Sequence, residues 1–143
     1  MRTPSWDFSD ATLSIIRDMG LVYDSSLMAD DDPYEVLADD QPTGIVEIPV
    51  EWIRDDAVYF PMDRYTALRP YTAPRDVLTI WRDEFDLASS EGSLFQLTMH
   101  PHIIGHRSRV WIIDEVIRHA KARGGVWFAT HRDVADWAKA HAA

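Results

Sequence analysis

Amphipathic stretches with helical spacing of their apolar residues occur four times along the chain. Ser9 suits an N-cap before the first stretch and Gly20 suits a left-handed C-cap after it, while Pro74 suits the first turn of the second. Thr130 and Asp133 have the spacing of a capping box at the start of the fourth. The pattern predicts helices over residues 9–20, 74–92, 108–124 and 130–141.

Four segments between these helices have the β-branched, aromatic or alternating composition of strands. They are LVYDSSLM (21–28), IVEIPVEWI (45–53), SLFQLTMHP (93–101) and VWFAT (126–130). The acidic segment over residues 29–44 is predicted to be surface loop, and the proline-rich segment over residues 57–76 to be a long loop. Strands that alternate with helices predict an α/β fold with parallel strands and outer helices.

Composition narrows the possible functions. A net charge of −10 gives a surface that repels phosphate backbones, so no nucleic-acid partner is expected. The chain has no cysteine, which excludes disulfides, thiolate metal sites and a cysteine nucleophile. No segment has the roughly 18–20 apolar residues of a membrane span, and the first residues form no apolar signal core. The sequence therefore predicts a cytoplasmic protein without a membrane partner.

The most informative stretch is LFQLTMHPHIIGHRSR, in which a predicted strand ends at His100. Functional groups of parallel α/β folds gather at the C-terminal ends of strands, and an imidazole can act there as general acid or base. A histidine that only caps a turn is the alternative. His102 and His106 extend the spacing to His-x-His-x-x-x-His, which leaves a small zinc site open as a further hypothesis. No acidic fourth ligand is fixed nearby, and a solvated His106 is the simpler interpretation.

The segments LTMHP, GHRSR and VIRHAKARGGVWFATHRDVADW together resemble the C-terminal end of the polysaccharide deacetylases, the NodB-homology group of carbohydrate esterase family 4. Three further segments agree in order. RTPSW is similar to the family's Arg-x-Pro loop, YDSSLMADDDPY follows it, and EIPVEWIRDDAVYF resembles a later strand and acidic loop. The motifs match best the branch that contains peptidoglycan deacetylases and allantoinase-like proteins.

The resemblance implies a hydrolase of non-peptide carbon–nitrogen bonds that uses a divalent metal, commonly zinc, to polarise an amide carbonyl and activate water. The family takes its metal ligands and catalytic base from an early TFDD-like motif and a following His-x-x-x-His motif, and neither precedes the Arg-x-Pro loop here. We therefore expect the metal ligands to be absent from this chain. Residues 1–143 are expected to form a single incomplete domain, the C-terminal portion of a (β/α) barrel whose N-terminal half is missing.

By the same resemblance, four residues match the family's catalytic groups. His100 matches the general acid that protonates the leaving amine. Asp55 or Asp56 matches the acidic residue that pairs with this histidine, and the sequence leaves open which one. Arg2 matches the arginine that orients the catalytic base, although that base is not in the chain.

Five further residues match the family's substrate groove. Pro4 and Trp6 match a loop that forms one wall of the groove, and Trp52 matches a position that shapes the pocket. Core packing is the alternative for both tryptophans. Leu97 and Met99 match the apolar residues beside the acetyl methyl group, although strand residues would be buried in any case.

Two functions follow from these expectations. The first is deacetylation of an N-acetylated sugar or polysaccharide, or hydrolysis of a related small amide, by a truncated chain that is inactive alone. The second is a non-catalytic carbohydrate-binding module or a degenerate partner. A parallel sheet that is cut open exposes strand edges and apolar surface, so we also expect a homo-oligomer or pairing with a complementary half.

Overall fold

The computed structural model describes residues 1–9, 11–60 and 71–141. The chain divides into two compact units. The sheet unit consists of Met1–Val50 and Trp127–Ala143, and the helical unit of Glu51–Val126. The strands in the described residues are β1 Tyr23–Asp24, β2 Tyr34–Ala38 and β3 Gln41–Glu47. The α-helices there are α1 Thr12–Asp18, α2 Asp56–Tyr59, α3 Pro74–Glu91, α4 Pro101–Ile104, α5 Trp111–Arg123 and α6 His131–His141. Short 3₁₀ helices span Pro4–Trp6 and Trp52–Arg54.

The three strands form one mixed sheet in the order β1-β3-β2. β1 runs parallel to β3, with Asp24 opposite Glu47, whereas β2 is antiparallel to β3. The predicted combination of strands and helices is therefore confirmed, but the prediction of a wholly parallel sheet is wrong. The (β/α) barrel stays a prediction, as does the single incomplete domain over residues 1–143.

The acidic segment over residues 29–44 is not the loop that its composition predicted. It contains β2 and the hairpin turn into β3, where Ala38 pairs with Gln41. Asp39 and Asp40 occupy the turn with φ values of 50° and 59°. A two-residue turn with both residues left-handed matches the twist of paired strands, and aspartate tolerates that conformation better than most residues. The prediction failed because turn-forming residues were interpreted as loop, although they join two strands.

Two predicted strands do not form. In SLFQLTMHP only Thr98 makes a bridge, to Asp55, and residues 124–130, which include VWFAT, form neither helix nor strand. A regular strand pairs with a neighbour over several residues. Among the described residues, the first segment makes one isolated bridge and the second makes none. The strand predicted over residues 45–53 ends at Glu47, two residues before Pro49, which has no N–H to donate to a ladder.

The predicted helices are confirmed, with shifts at two starts. α1 begins at Thr12 after the N-cap residue Ala11, so the prediction of Ser9 as the N-cap is wrong. Gly20 and Gly92 follow α1 and α3 with φ values of 68° and 74°, as left-handed C-terminal residues do. Thr130 and Asp133 form the capping box, in which the Asp133 carboxylate accepts from the Thr130 amide at 3.1 Å. The third predicted helix begins at Trp111 rather than near residue 108. Of the loop predicted over residues 57–76, residues 57–59 belong to α2, and residues 61–70 lie outside the described residues.

Each unit has its own hydrophobic core. In the sheet unit, Ile16 of α1 packs with Val36 and Ile45 of the sheet. The core of the helical unit is formed by α3 and α5, together with α4 and the residue that follows α2. Its buried residues are Phe60, Val77, Trp81, Ile104, Ile112 and Val116. In the part of the chain that the structure describes, no helix is long and apolar enough to cross a membrane.

Substitution of two isoleucines of α5 tests the packing of this core. Ile112 is fully buried, whereas Ile117 is 39% exposed. We expect Ile112→Ala to lower the free energy of unfolding of the helical unit by about 2–5 kcal/mol, because a cavity replaces packed methyl groups. Ile117→Ala is the matched control, with an expected loss below about 1 kcal/mol. Urea unfolding followed by circular dichroism measures both, and equal losses would contradict the packing described above.

Candidate functional site

Backbone hydrogen bonds in the helical unit bring two distant segments together. The Thr98 amide donates to the Arg54 carbonyl at 2.9 Å, and the Asp56 amide donates to the Thr98 carbonyl at 3.2 Å. This parallel bridge places the start of α2 beside the residues that lead into α4. Asp56 and His100, which are 44 residues apart, consequently meet at one end of the bridge.

The Asp56 carboxylate organises this meeting point. Its Oδ1 lies 2.6 Å from Nδ1 of His100, and its Oδ2 accepts from the backbone amides of His100 at 3.0 Å and Ile104 at 3.1 Å. Asp56 is completely buried, while the His100 side chain is 37% exposed. A buried carboxylate requires such donors, because burial without them is strongly unfavourable. The backbone and the ring of His100 are therefore both fixed by one side chain.

Asp55 has a different structural role from that of Asp56. Its Oδ1 accepts from the Ala57 amide at 2.6 Å, so this residue caps the N-terminus of α2. The same oxygen lies 3.7 Å from Nδ1 of His100, which is beyond hydrogen-bond distance. Asp56 rather than Asp55 is thus hydrogen bonded to the histidine, while the catalytic role that the resemblance implies for either aspartate stays a prediction.

This pair has the arrangement of a general acid–base group. An ionised carboxylate only accepts, so Nδ1 of His100 carries the hydrogen that it shares with Asp56. The other ring nitrogen, Nε2, then accepts a proton in the neutral ring and donates one in the imidazolium form. The carboxylate also stabilises the positive charge of the protonated ring, as it does wherever a buried acid orients a histidine.

The same three residues could offer ligands to a metal ion. Asp55, Asp56 and His100 each present one atom, and these atoms lie within 4.8 Å of one another. As arranged, however, they do not fit a cation. Two ligands of one tetrahedral zinc ion stand roughly 3.3 Å apart, whereas His100 Nδ1 and Asp56 Oδ1 are 2.6 Å apart, and both Asp56 oxygens already accept hydrogen bonds. The geometry is that of a hydrogen-bonded pair.

The histidines that follow His100 give no support to a small zinc site. The ring of His102 packs edge-on against that of His100 with centroids 5.7 Å apart. Nε2 of His106 lies 3.1 Å from the backbone carbonyl of His102, and both side chains are exposed. Among the described residues, neither belongs to a group of three potential metal ligands.

Three predicted groove residues lie in the helical unit with His100. Trp52 lies three residues before Asp55 and is 50% exposed, so core packing does not account for it. Leu97 is partly buried and packs against the helical core. Met99, which adjoins His100, is 39% exposed, so the expectation that it would be buried as a strand residue is wrong. It remains exposed because its segment forms only one bridge.

The other three predicted site residues lie in the sheet unit. Arg2 donates from Nε to the Ser25 carbonyl at 2.9 Å and from Nη2 to the Ser25 hydroxyl at 2.7 Å. Pro4 is exposed and Trp6 is partly buried, within the 3₁₀ turn Pro4–Trp6. The roles that the resemblance implies for these residues stay predictions.

Sequence reasoning missed the buried carboxylates of the sheet unit. Asp24 and Glu47 are completely buried and lie opposite each other on β1 and β3. Burial, together with the neighbouring Asp24, raises the pKa of Glu47 to about 7. A glutamate inside the β-branched run IVEIPV was the available signal, because a charged residue is rarely buried without a partner.

The fold and the pair of Asp56 and His100 define a class of protein, one that carries a carboxylate-oriented histidine on an α/β scaffold. Comparisons with known proteins show which members of this class the chain resembles. No protein-family model matches the chain. The chain is 27% identical to a peptidoglycan deacetylase of Helicobacter pylori over 161 residues, which cover 93% of this chain and 54% of that protein.

Solved structures agree with this relative. A protein from Mycobacterium smegmatis assigned as a polysaccharide deacetylase matches 97% of this chain and 48% of its own, with a TM-score of 0.86 and 29% identity. The Puue allantoinase matches 94% of this chain and 44% of its own, with a TM-score of 0.75 and 25% identity. The resemblance to polysaccharide deacetylases is thereby confirmed, and the chain spans about half the length of the relatives that it matches.

The hydrogen bond between Asp56 and His100 can be tested directly. In Asp56→Asn the charged acceptor is lost, so we expect the protected Nδ1–H signal of His100 to disappear from ¹⁵N-edited NMR spectra. Asp55→Asn is the matched control and should leave the signal in place, because that side chain caps α2. Loss of the signal in the control alone would assign the orienting role to Asp55.

Glu47 should make the stability of the sheet unit depend on pH. The unfolded chain releases this proton near the ordinary pKa of 4.5, and the folded chain only near 7. The free energy of unfolding therefore falls as the pH rises through this window, by up to about 3 kcal/mol. In urea titrations Glu47→Gln should lack this fall, because glutamine stays uncharged.

Comparison of the wild type with Glu47→Gln also controls for the contribution of His131 to the pH dependence. Burial and the nearby Arg2 lower the pKa of His131, so His131 opposes protonation in the folded state and reduces stability towards low pH. This contribution is common to wild type and variant and cancels between them. Parallel pH profiles of the two proteins would show that Glu47 does not titrate in this window.

Proposed function

We propose that this chain carries the proton-donating part of a hydrolase that cleaves non-peptide carbon–nitrogen bonds, with His100 as general acid. The observation that supports this most directly is the 2.6 Å contact between Nδ1 of His100 and the buried Asp56 carboxylate. It leaves Nε2 as the nitrogen that can exchange a proton with a bound molecule. A histidine that merely capped a turn would not need a completely buried carboxylate as its partner.

The proposed reaction step is protonation of the leaving amine. When the tetrahedral carbon intermediate collapses, the carbon–nitrogen bond breaks and its electron pair passes to nitrogen. Nε2 of His100 gives its proton to that nitrogen, so the amine leaves neutral and the ring becomes neutral as well. Asp56 acts as a positioning residue, because it holds the ring through Nδ1 and stabilises the imidazolium before transfer.

The substrate that we propose is an N-acetylated sugar or polysaccharide. The names of the relatives from Helicobacter pylori and Mycobacterium smegmatis support this class, and the allantoinase relative supports a small amide as the related alternative. The half-exposed Trp52 lies three residues before Asp55 and offers an aromatic face of the kind on which sugar rings pack. Leu97 and Met99 flank this region as the apolar residues proposed to meet the acetyl methyl group.

We propose that groups outside this chain activate the attacking water. A general acid without its base loses most of the rate, so we propose that the chain alone is inactive and pairs with a complementary half. The relatives are about twice as long as this chain, which is consistent with such a half. Trp127 and Phe128, which are 58% and 57% exposed in a segment without strand partners among the described residues, offer apolar surface for pairing.

A non-catalytic function remains the second candidate. The exposed face of Trp52 would suit glycan binding without turnover. This alternative predicts that the chain binds N-acetylglucosamine oligomers and that Trp52→Ala weakens binding, whereas replacement of His100 has no effect on hydrolysis because there is none.

A chimera tests the catalytic proposal. The part of the Helicobacter pylori peptidoglycan deacetylase that this chain does not match would be joined to residues 1–143, and acetate release from peptidoglycan and chitin oligomers would be measured. We expect His100→Gln to reduce the rate by about 10²–10⁴-fold, the usual contribution of a general acid. His102→Gln is the control and should retain the rate within a few-fold.

The outcomes separate the two functions. Full activity of the His100→Gln chimera would show that His100 is not the proton donor. A folded chimera that binds oligomers through Trp52 but releases no acetate would favour the binding module.

A further inference from the structure

A buried carboxylate in the sheet unit holds the turn that follows β1. Oε1 of Glu47 accepts from the backbone amides of Ser26 at 2.8 Å and Leu27 at 2.9 Å. Both serines of this turn, Ser25 and Ser26, are 1% exposed. The amides of a buried turn need acceptors, and one oxygen of Glu47 serves two of them.

Ser25 and Ser26 of that turn also bind the first residues of the chain. Arg2 donates to the carbonyl and the hydroxyl of Ser25, and the Thr3 amide donates to the hydroxyl of Ser26 at 2.9 Å. These contacts link Glu47 through Ser26 to Thr3, and through Ser25, which precedes Ser26 in the chain, to Arg2.

The loop at the end of this path has an unusual backbone. Ser5 and Trp6 have φ values of 54° and 57°, a left-handed conformation that side chains other than glycine rarely adopt, and least of all a bulky one. Such a conformation persists only where surrounding contacts hold it. Arg2 and Thr3 precede these two residues, with Pro4 between, so their contacts with the turn restrain the chain on the N-terminal side of the loop.

We infer that Glu47 is the positioning residue of the Arg-x-Pro loop, and that it acts through Ser25 and Ser26 on Arg2 and Thr3. What the loop does in hydrolysis rests on the proposed function; its anchoring by Glu47 does not. A glutamate that merely filled space in the sheet would not need both amides of the turn on one oxygen, with the serine side chains directed towards Arg2 and Thr3.

The second oxygen of Glu47 and both oxygens of Asp24 lack a donor. A proton held between the two carboxyl groups supplies one, in agreement with the raised pKa of Glu47. The groups that face this pair are the Met1 amine, 3.8 Å from Asp24, and the partly buried Tyr34, whose pKa is raised by burial. Replacement of Glu47 by glutamine keeps an acceptor for the turn and turns an N–H towards Asp24.

NMR of the whole chain at about pH 6, below the raised pKa of Glu47, tests this role. Glu47→Ala should abolish the slowly exchanging Nε–H signal of Arg2 and speed amide exchange at Ser26 and Leu27 by at least about tenfold. Glu47→Gln should preserve all three signals. Glu35→Gln is the matched control, because Glu35 also accepts a backbone amide, that of Gly44 at 2.7 Å, but is exposed.

Should Glu47→Ala fail to fold, Glu47→Asp carries the test. Its side chain is one methylene shorter and withdraws from the two amides, so the Arg2 signal should be lost while a carboxyl group remains. An unchanged Arg2 signal in Glu47→Ala or Glu47→Asp, or its loss in Glu47→Gln, would overturn the inference. These signals are recorded without substrate, so an inactive chimera would leave them unaffected and would bear on the proposed function alone.

Discussion

The carboxylate of Asp56 is the constraint on which the helical unit's candidate site depends. It is buried completely, and it accepts hydrogen bonds from the ring and the backbone of His100 and from the amide of Ile104. Removal of these donors would leave a charge without partners in a low-dielectric interior, which is among the least favourable arrangements in a protein. The turn into α4, the position of the ring and the identity of the proton-bearing nitrogen therefore follow from one side chain.

The sheet unit uses the same physical device with a different glutamate. Glu47 gathers the amides of Ser26 and Leu27 on one oxygen, as Asp56 gathers those of His100 and Ile104. In both cases a buried acceptor shapes a turn: one turn carries His100, and the other holds Arg2 through Ser25. The two acceptors differ in their neighbours, because Asp56 faces His100, whereas Glu47 faces Asp24 and has a raised pKa.

Sequence patterns predicted the features that depend on local chemistry. The helices, their glycine ends and the Thr130–Asp133 capping box depend on neighbouring residues, and all are present. The choice between Asp55 and Asp56 was beyond sequence reasoning, because it depends on a bridge between residues 55 and 98. The strand predicted over residues 93–101 failed for a related reason: its alternation describes the side chains, whereas strand formation depends on a partner elsewhere.

The hydrogen bonds described above for His100 and Arg2 lie within one unit each. The bonds that fix His100 come from residues 54–104, and those that hold Arg2 come from residues 25–47. These hydrogen bonds all come from residues of this chain. The chain itself therefore contributes to holding His100 and the arginine loop in place. Under the proposed function, inactivity of the isolated chain would reflect the lack of an activated water, which is the contribution that we propose for a complementary half.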